Sequence, residues 1–301
     1  MSRPLRLLAV QAAPHQLSDP VSAFAAEVET ALAGQPEAQL VVFPELHLFG
    51  DGDPDQQREA VLRDSAEPLD GPRVRALQGI AADLGVWLLP GSVCERGPHG
   101  EFFNTAVLLS PTGEIVGSYR KVFPWRPYEP YDPGDRFAVV DLPHVGRAGL
   151  NICYDAWFPE VSRHLAWMGA EVIFNVVKTT TPDRAQEVVL AQANAIVNQV
   201  FVVSVNVAAP VGEGRSLVVD PEGVILAEAP DSAPTVLSVE LDLDAVARVQ
   251  RDGTVGVARP WSQFTRADRP IELPLYAGRM DPETWRPRGA PDVAEPRPGD
   301  S

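Results

Sequence analysis

Short apolar runs punctuate the chain at residues 5–12, 39–43, 86–92, 103–110, 114–119, 137–141, 146–152, 172–177, 201–207, 215–219, 224–228 and 236–240. Their length and β-branched content are those of buried strands. Helical spacing of apolar positions fills several gaps between them: Pro20 to Leu32 behind Asp19, Gly71 to Leu84, and Pro159 to Met168. The longest helical stretch is Pro182 to Gln199, with Thr181 as N-cap and Pro182 in the first turn. Strands alternating with helices predict an α/β sheet. SPTGE at 110–114 and DPEG at 220–223 carry hairpin-turn chemistry, so antiparallel pairs join the sheet and make it mixed. There is no internal repeat and no linker-like break before about residue 270. One domain over 1–276 is expected, followed by a Pro/Arg-rich tail over 277–301 that is either disordered or packs as an arm on a neighbouring subunit.

Three of the strand-like runs end alike, each followed at once by a reactive side chain. QLVVFPE delivers Glu45, EIVGSYRK delivers Lys121 and GRAGLNICYD delivers Cys153. A carboxylate, an ammonium and a thiol gathered at strand ends supply a base, an electrostatic clamp and a nucleophile, which suits attack on an unactivated acyl or nitrile carbon. Cys153 stands on a strand-to-helix elbow, where the backbone N–H of Tyr154 can face a developing oxyanion. Lys121 sits among Tyr119, Val122, Phe123 and Trp125, and burying its charge requires an anionic partner, for which Glu45 and Glu129 are the candidates. Trp125 and Trp157 are placed to wall a pocket or simply to pack in the core. Cys94, in GSVCERG, has no such polar company and reads as a buried core thiol.

Composition narrows the partners. With 25 basic and 41 acidic residues the formal net charge is −16, which argues against nucleic acid or an anionic membrane surface as a partner. Two cysteines outside any CxxC pair exclude a disulfide framework and a zinc site of the usual spacing. The start, MSRPLRLLAVQAAP, reads as a first strand rather than a leader, and no run approaches the ~18 apolar residues of a membrane span. A cytoplasmic, soluble protein is expected. Lys121 and Lys178 are the only two lysines in an arginine-rich chain, which singles them out. Lys178 follows EVIFNVV and reads as a solvent-exposed residue or one at the site rim.

VVFPE, YRKVFPW and NICYDAWFPE, followed by GRSLVVDPEG, together resemble the carbon–nitrogen hydrolase (nitrilase) superfamily over about residues 5–245. The resemblance implies an αββα sandwich, with mixed sheets and outer helices, that dimerises into αββααββα. It also implies a Glu–Lys–Cys constellation, here Glu45, Lys121 and Cys153, that needs no metal or cofactor. RKVFPWRPYEPYDPGD is most similar to aliphatic amidases and formamidases, whose lysine is followed by Pro-Trp and by a second glutamate eight residues on. Trp125 and Glu129 match those positions, and the glutamate's implied role is to hold lysine and substrate in register. Asp155 after Cys-Tyr is likewise of amidase type, whereas nitrilases resembling this chain carry Trp-Glu there.

Other branches fit less well. N-carbamoyl-D-amino-acid hydrolases place two arginines shortly after the cysteine, where this chain has Ala156 and Trp157. N-carbamoylputrescine amidases resemble CYDAWFPE but lack the lysine loop. The chain is also shorter after the domain than aliphatic amidases that match that loop. The expected activity is hydrolysis of a small neutral amide through a Cys153 thioester, with Glu45 as base and Lys121 and the Tyr154 N–H on the oxyanion. N-carbamoyl amine hydrolysis, nitrile hydrolysis and a silent scaffold of the same fold are the alternatives. A homodimer or larger assembly is implied by the same resemblance.

Other motifs carry weaker signals. DGDPD at 51–55 starts like a calcium loop, but Leu62 stands at its last ligand position, so it reads as a solvated loop. His15, His47, His99, His144 and His164 form no metal-spaced pair, and His47 alone is near enough to Glu45 to reach a pocket mouth. The loops expected to shape that pocket lie near 50–64, 125–135 and 178–186.

Overall fold

The computed structural model describes residues 3–50, 56–273 and Gly278. The chain divides into two compact units, Met1–Pro260 and Trp261–Ser301. In the first, the elements run β1 (Pro4–Gln11), α1 (Val21–Ala33), β2 (Leu40–Val42), α2 (Gln56–Asp64), α3 (Pro72–Leu84), β3 (Trp87–Leu89), β4 (Ser92–Arg96), β5 (Phe102–Leu109) and β6 (Ile115–Arg120). They continue with β7 (Ala138–Leu142), β8 (Gly146–Ile152), α4 (Pro159–Trp167), β9 (Val172–Val177), α5 (Arg184–Asn198), β10 (Phe201–Asn206), β11 (Leu217–Val219), β12 (Ile225–Glu228), β13 (Thr235–Asp242) and α6 (Asp244–Asp252). The described part of the second unit is exposed and irregular from Ser262 to Leu273. Most of the tail from 277 onward, and the DGDPD segment, lie outside the described residues. Among the described residues no helix is long and apolar enough to cross a membrane.

Two mixed sheets form. The first has strand order β13-β1-β2-β3-β5-β4, with β6 paired to β5; the second runs β12-β11-β10-β9-β8-β7. β1, β2 and β3 are parallel neighbours, as are β8, β9 and β10, while the flanking pairs are antiparallel. Alternation decides what covers each face. Leu8, Val10, Val41 and Phe43 pack with Phe24 and Val28 of α1 and Val74 and Leu77 of α3. The intervening Leu7, Ala9, Leu40 and Val42 are at most 1% exposed, because β1, β5 and β6 lie against β10 and β8 of the second sheet. Strands buried on both faces carry the continuous apolar runs seen in the sequence. α4 and α5 close the outer face of the second sheet, against β8 and β10. The layering is αββα.

Several boundaries differ from expectation. The 86–92 run is two strands: Gly91, at φ 87°, breaks it where an added Cβ would stand 1.7 Å from the Pro44 carbonyl oxygen. α5 begins at Arg184, not Pro182, and Thr181 bonds the Asp183 side chain instead of capping the helix. Pro20, not Asp19, occupies the N-cap of α1; Asp19 accepts the Gln16 N–H at 2.8 Å. α2 occupies part of the expected 50–64 loop, and α6 follows the last predicted strand. Both hairpins form, with Gly113 at φ 79° and Gly223 at φ 87° in their turns.

Candidate functional site

Glu45 follows the end of β2, where the close approach of Gly91 to Pro44 and the bond from the Leu46 N–H to Ser92 Oγ (3.0 Å) fix the backbone. Its side chain is 2% exposed. Glu45 Oε1 accepts from Asn104 Nδ2 at 2.7 Å and from Lys121 Nζ at 3.0 Å. Lys121 follows β6, fully buried, its N–H held by the Asn104 carbonyl at 2.9 Å. Its ammonium also reaches the Glu129 carboxylate at 2.7 Å, and Glu129 Oε2 accepts the Trp125 N–H at 2.7 Å. One ammonium thus lies between two carboxylates. Burial disfavours the Lys121 charge, but Glu45 and Glu129 outweigh it and hold its pKa well above the ordinary lysine value. Burial raises the Glu129 pKa against the opposing pull of Lys121.

Cys153 begins a 3-10 turn, Cys153–Trp157, at the end of β8. Its φ of 48° is a left-handed conformation that a non-glycine residue rarely adopts, and it turns the thiol off the strand line. Asp155 holds that turn: its carboxylate accepts from the Ile152 N–H (3.0 Å), the Phe123 N–H (2.9 Å) and Tyr119 OH (2.8 Å), tying it to the segment after Lys121. Burial pushes the Asp155 pKa up to about 7 against these donors and Lys121. Cys153 Sγ lies 3.9 Å from Thr179 Oγ1, which donates to Glu187 at 2.8–2.9 Å, and Arg184 donates to Glu187 at 3.0 Å. The residue keeps some exposed surface, yet the sulfur is deep enough that burial, aided by Glu45 and opposed by Lys121, raises its pKa well above a free thiol's. The resting group is therefore the thiol, and a base must take its proton during attack.

Glu45, Lys121 and Glu129 meet at hydrogen-bond distance, and both Glu45 and Lys121 act electrostatically on Cys153. Trp125 contributes its backbone N–H to Glu129, and its ring lies tilted against Tyr128 with centroids 4.5 Å apart. Tyr154 and Trp157 lie on the Cys153 turn with ring centroids 6.0 Å apart, and Trp157 Nε1 is 3.5 Å from Glu187. Cys94 is a buried core thiol, pushed up to about 12 by burial. Two readings need correction. Lys178 is not a solvated surface lysine: it is half-buried, its ammonium 3.4 Å from the Phe49 carbonyl, and desolvation followed by Arg58 lowers its pKa to about 8. His47 does not reach toward Glu45's partners; it is fully buried on the α1 side, bonded to Glu27 at 2.8 Å.

Asn104, Thr179, Arg184 and Glu187 escaped the sequence reading. Asn104 had a signal, a lone amide inside the apolar run FFNTAVLL of a strand buried throughout. Arg184 and Glu187, three residues apart on α5, look in sequence like a surface ion pair, but their side chains are 2% and 6% exposed.

A carbon-nitrogen hydrolase family model matches residues 8–251, and the chain belongs to that family. The formamidase of Pseudomonas syringae pv. syringae (strain B728a) is 34% identical over 229 residues, 73% of this chain and 64% of the formamidase. The chain thus matches just under two thirds of that relative's length. The crystal structure of Saccharomyces cerevisiae Nit3, a member of branch 10 of the nitrilase superfamily, matches with a TM-score of 0.74 at 26% identity, over 83% of this chain and 94% of Nit3. A mutant of the amidase from Nesterenkonia sp. AN1 in complex with butyramide matches with a TM-score of 0.68 at 29% identity, over 83% and 97% of the two chains. A second mutant of that amidase carries the acetamide moiety of fluoroacetamide added covalently at its active site cysteine; it matches at 0.69 and 28% identity, over 83% and 96%. The fold is that of the nitrilase superfamily.

Proposed function

We propose that this protein hydrolyses a small amide to a carboxylic acid and ammonia through a thioester on Cys153. The observation that carries the reading is Lys121, fully buried between Glu45 and Glu129 with a protonated thiol in its field. Glu45 takes the thiol proton as sulfur bonds to the amide carbon. The resulting oxyanion is held by Lys121 Nζ and the Tyr154 N–H. Protonated Glu45 returns its proton to the departing nitrogen, the C–N bond breaks, and ammonia leaves. Water then loses a proton to Glu45 as its oxygen adds to the thioester carbon. Collapse breaks the C–S bond, releases the acid and returns the proton to sulfur. Glu129 fixes the lysine, and Trp125 and Trp157 wall the acyl side. Covalent addition at the active site cysteine and bound butyramide in mutants of the Nesterenkonia amidase support a nucleophilic cysteine and a short aliphatic acyl group.

Ammonia and carbon dioxide release from short amides, formamide, N-carbamoyl amines and nitriles, with the parent and Cys153→Ala, tests the proposal. Ammonia alone from amides, lost in the variant, is expected. Equimolar carbon dioxide would move the substrate to N-carbamoyl amines, and silence throughout would contradict the amidase reading. Self-association is part of the same proposal: Val189, Ile196 and Val197 on α5 are 47–63% exposed and Trp167, ending α4, is 76% exposed. Such an apolar surface suits a second copy, and sedimentation velocity should give a dimer or larger.

A further inference from the structure

On the opposite side of the Glu45 segment, the fold assembles a second cluster that the sequence spacing conceals. His15 and His47 are 32 residues apart, and Glu27 stands on α1 between them. Their backbones are zipped: the His15 N–H donates to the His47 carbonyl at 2.8 Å and the Gly50 N–H to the His15 carbonyl at 2.7 Å. Both imidazoles aim Nε2 at one carboxylate oxygen, Glu27 Oε2, at 2.9 Å from His15 and 2.8 Å from His47. One ligating atom from each residue lies within 4.8 Å of the other two.

From this geometry we propose that His15, His47 and Glu27 form a zinc(II) site, distinct from the Cys153 centre and structural in role. Two imidazole nitrogens and one carboxylate oxygen are a borderline-soft donor set that suits zinc and disfavours magnesium or calcium. Ligand atoms ~2.05 Å from a tetrahedral zinc stand about 3.3 Å apart. The two nitrogen–oxygen contacts therefore need to open by only about 0.5 Å, a shift that side-chain torsions supply. The walls are apolar: Phe24 lies against both imidazoles and Phe43 against His47, with ring centroids 4.8–6.2 Å away. Access comes from the other side, where His15 and Glu27 line a groove of about 760 Å³ between α1 and the β1–β13 edge. The His47 side chain is 0% exposed, against 20% for His15 and 27% for Glu27, so the ion would be held from below and open to water above.

One feature limits the affinity. Among the described residues, His47 Nδ1 is buried with no hydrogen-bond partner, and His15 Nδ1 has Asp19 at 3.7 Å. Ligating imidazoles normally donate their second nitrogen, and loss of that support costs about 10–100-fold in affinity. Micromolar rather than nanomolar binding is expected. Leu46, at φ 52°, is the only residue between Glu45 and His47, so an ion at His47 also pins the segment that presents Glu45.

The test is equilibrium dialysis of the metal-stripped full chain against zinc(II), with cobalt(II) as the spectroscopic probe. Parent protein and His99→Ala, which alters an exposed histidine elsewhere, should each bind about one equivalent. His15→Ala and Glu27→Gln should each weaken binding at least ~100-fold, more than loss of an outer partner does. Circular dichroism checks that both variants remain folded, and zinc should raise the melting temperature of the parent but not theirs. The cobalt form should show d–d bands without a sulfur-to-cobalt charge-transfer band. Absence of stoichiometric binding, undiminished binding in both variants, or a sulfur band placing the ion on Cys153 would each overturn the proposal.

Discussion

Glu45 and His47 are separated by one residue, yet they enter two buried clusters of opposite construction. Around Lys121 one cation lies between two carboxylates; around Glu27 one carboxylate lies between two imidazoles. In the first, the two carboxylates outweigh burial and hold the Lys121 pKa well above the ordinary lysine value, so a lasting positive charge lies in the field of Cys153. In the second, burial works against the Glu27 charge, but the two imidazoles outweigh it and hold its pKa down to about 2. Burial keeps His47 below the usual histidine value, while the bond to Glu27 raises His15. The imidazoles thus divide the carboxylate unequally. A buried ammonium suits an electrostatic clamp that is already in place when the oxyanion develops. Exchangeable imidazole protons suit a site that can take an ion in their place.

The comparison breaks most sharply at the nucleophile. Cys153→Ala should lower amide turnover by at least ~10⁴-fold while leaving zinc uptake at the other cluster intact, measured by ammonia release and dialysis on one preparation. Lys121→Met comes next. Removing one partner of a buried ion group costs about 3–5 kcal/mol, here because Glu45 and Glu129 would face each other uncompensated. A melting temperature lowered by about 10 °C should result, with loss of activity; an unchanged melting curve would mean the carboxylates find other partners. Glu129→Gln keeps the Glu45–Lys121 bond and should cost about 10²–10³-fold in kcat with little change in stability. The smallest effect has the opposite sign. Lys178 is held below its unfolded pKa, so between pH 8 and about 10.4 the unfolded chain binds the extra proton. The stability contributed by this group therefore rises with pH across that window, from a penalty at pH 7. Lys178→Met should stabilise the protein by about 1–3 kcal/mol at pH 7, and by progressively less toward pH 10, in denaturant titrations at each pH.

What was legible in the sequence follows the same division. Glu45, Lys121 and Cys153 each sit where an apolar strand stops, and strand periodicity is a local signal. Lys121's need for Glu45 and Glu129 followed from the cost of burying its charge among aromatics. Asp155 was noticed by its position after the cysteine, but its bonds to Tyr119 and the Phe123 N–H depend on how two loops meet, which no local pattern encodes. His15, Glu27 and His47 come together only because β1 and β2 are parallel neighbours under α1. Lys178 failed for a related reason. It follows Val177 on a strand whose side chains alternate: Asn175 bonds Ser204, which Arg184 of α5 also contacts, so the even-numbered positions face the first sheet. That alternation carries Lys178 toward the Phe49 carbonyl.

A thioester on Cys153 would partition between water and hydroxylamine, and that partition can be measured. Three amides sharing one acyl group but carrying different leaving amines would be turned over by the parent protein at a fixed hydroxylamine concentration. One constant ratio of carboxylic acid to hydroxamate is expected for all three, with no products from Cys153→Ala. A ratio that changes with the leaving amine would contradict a common acyl-enzyme.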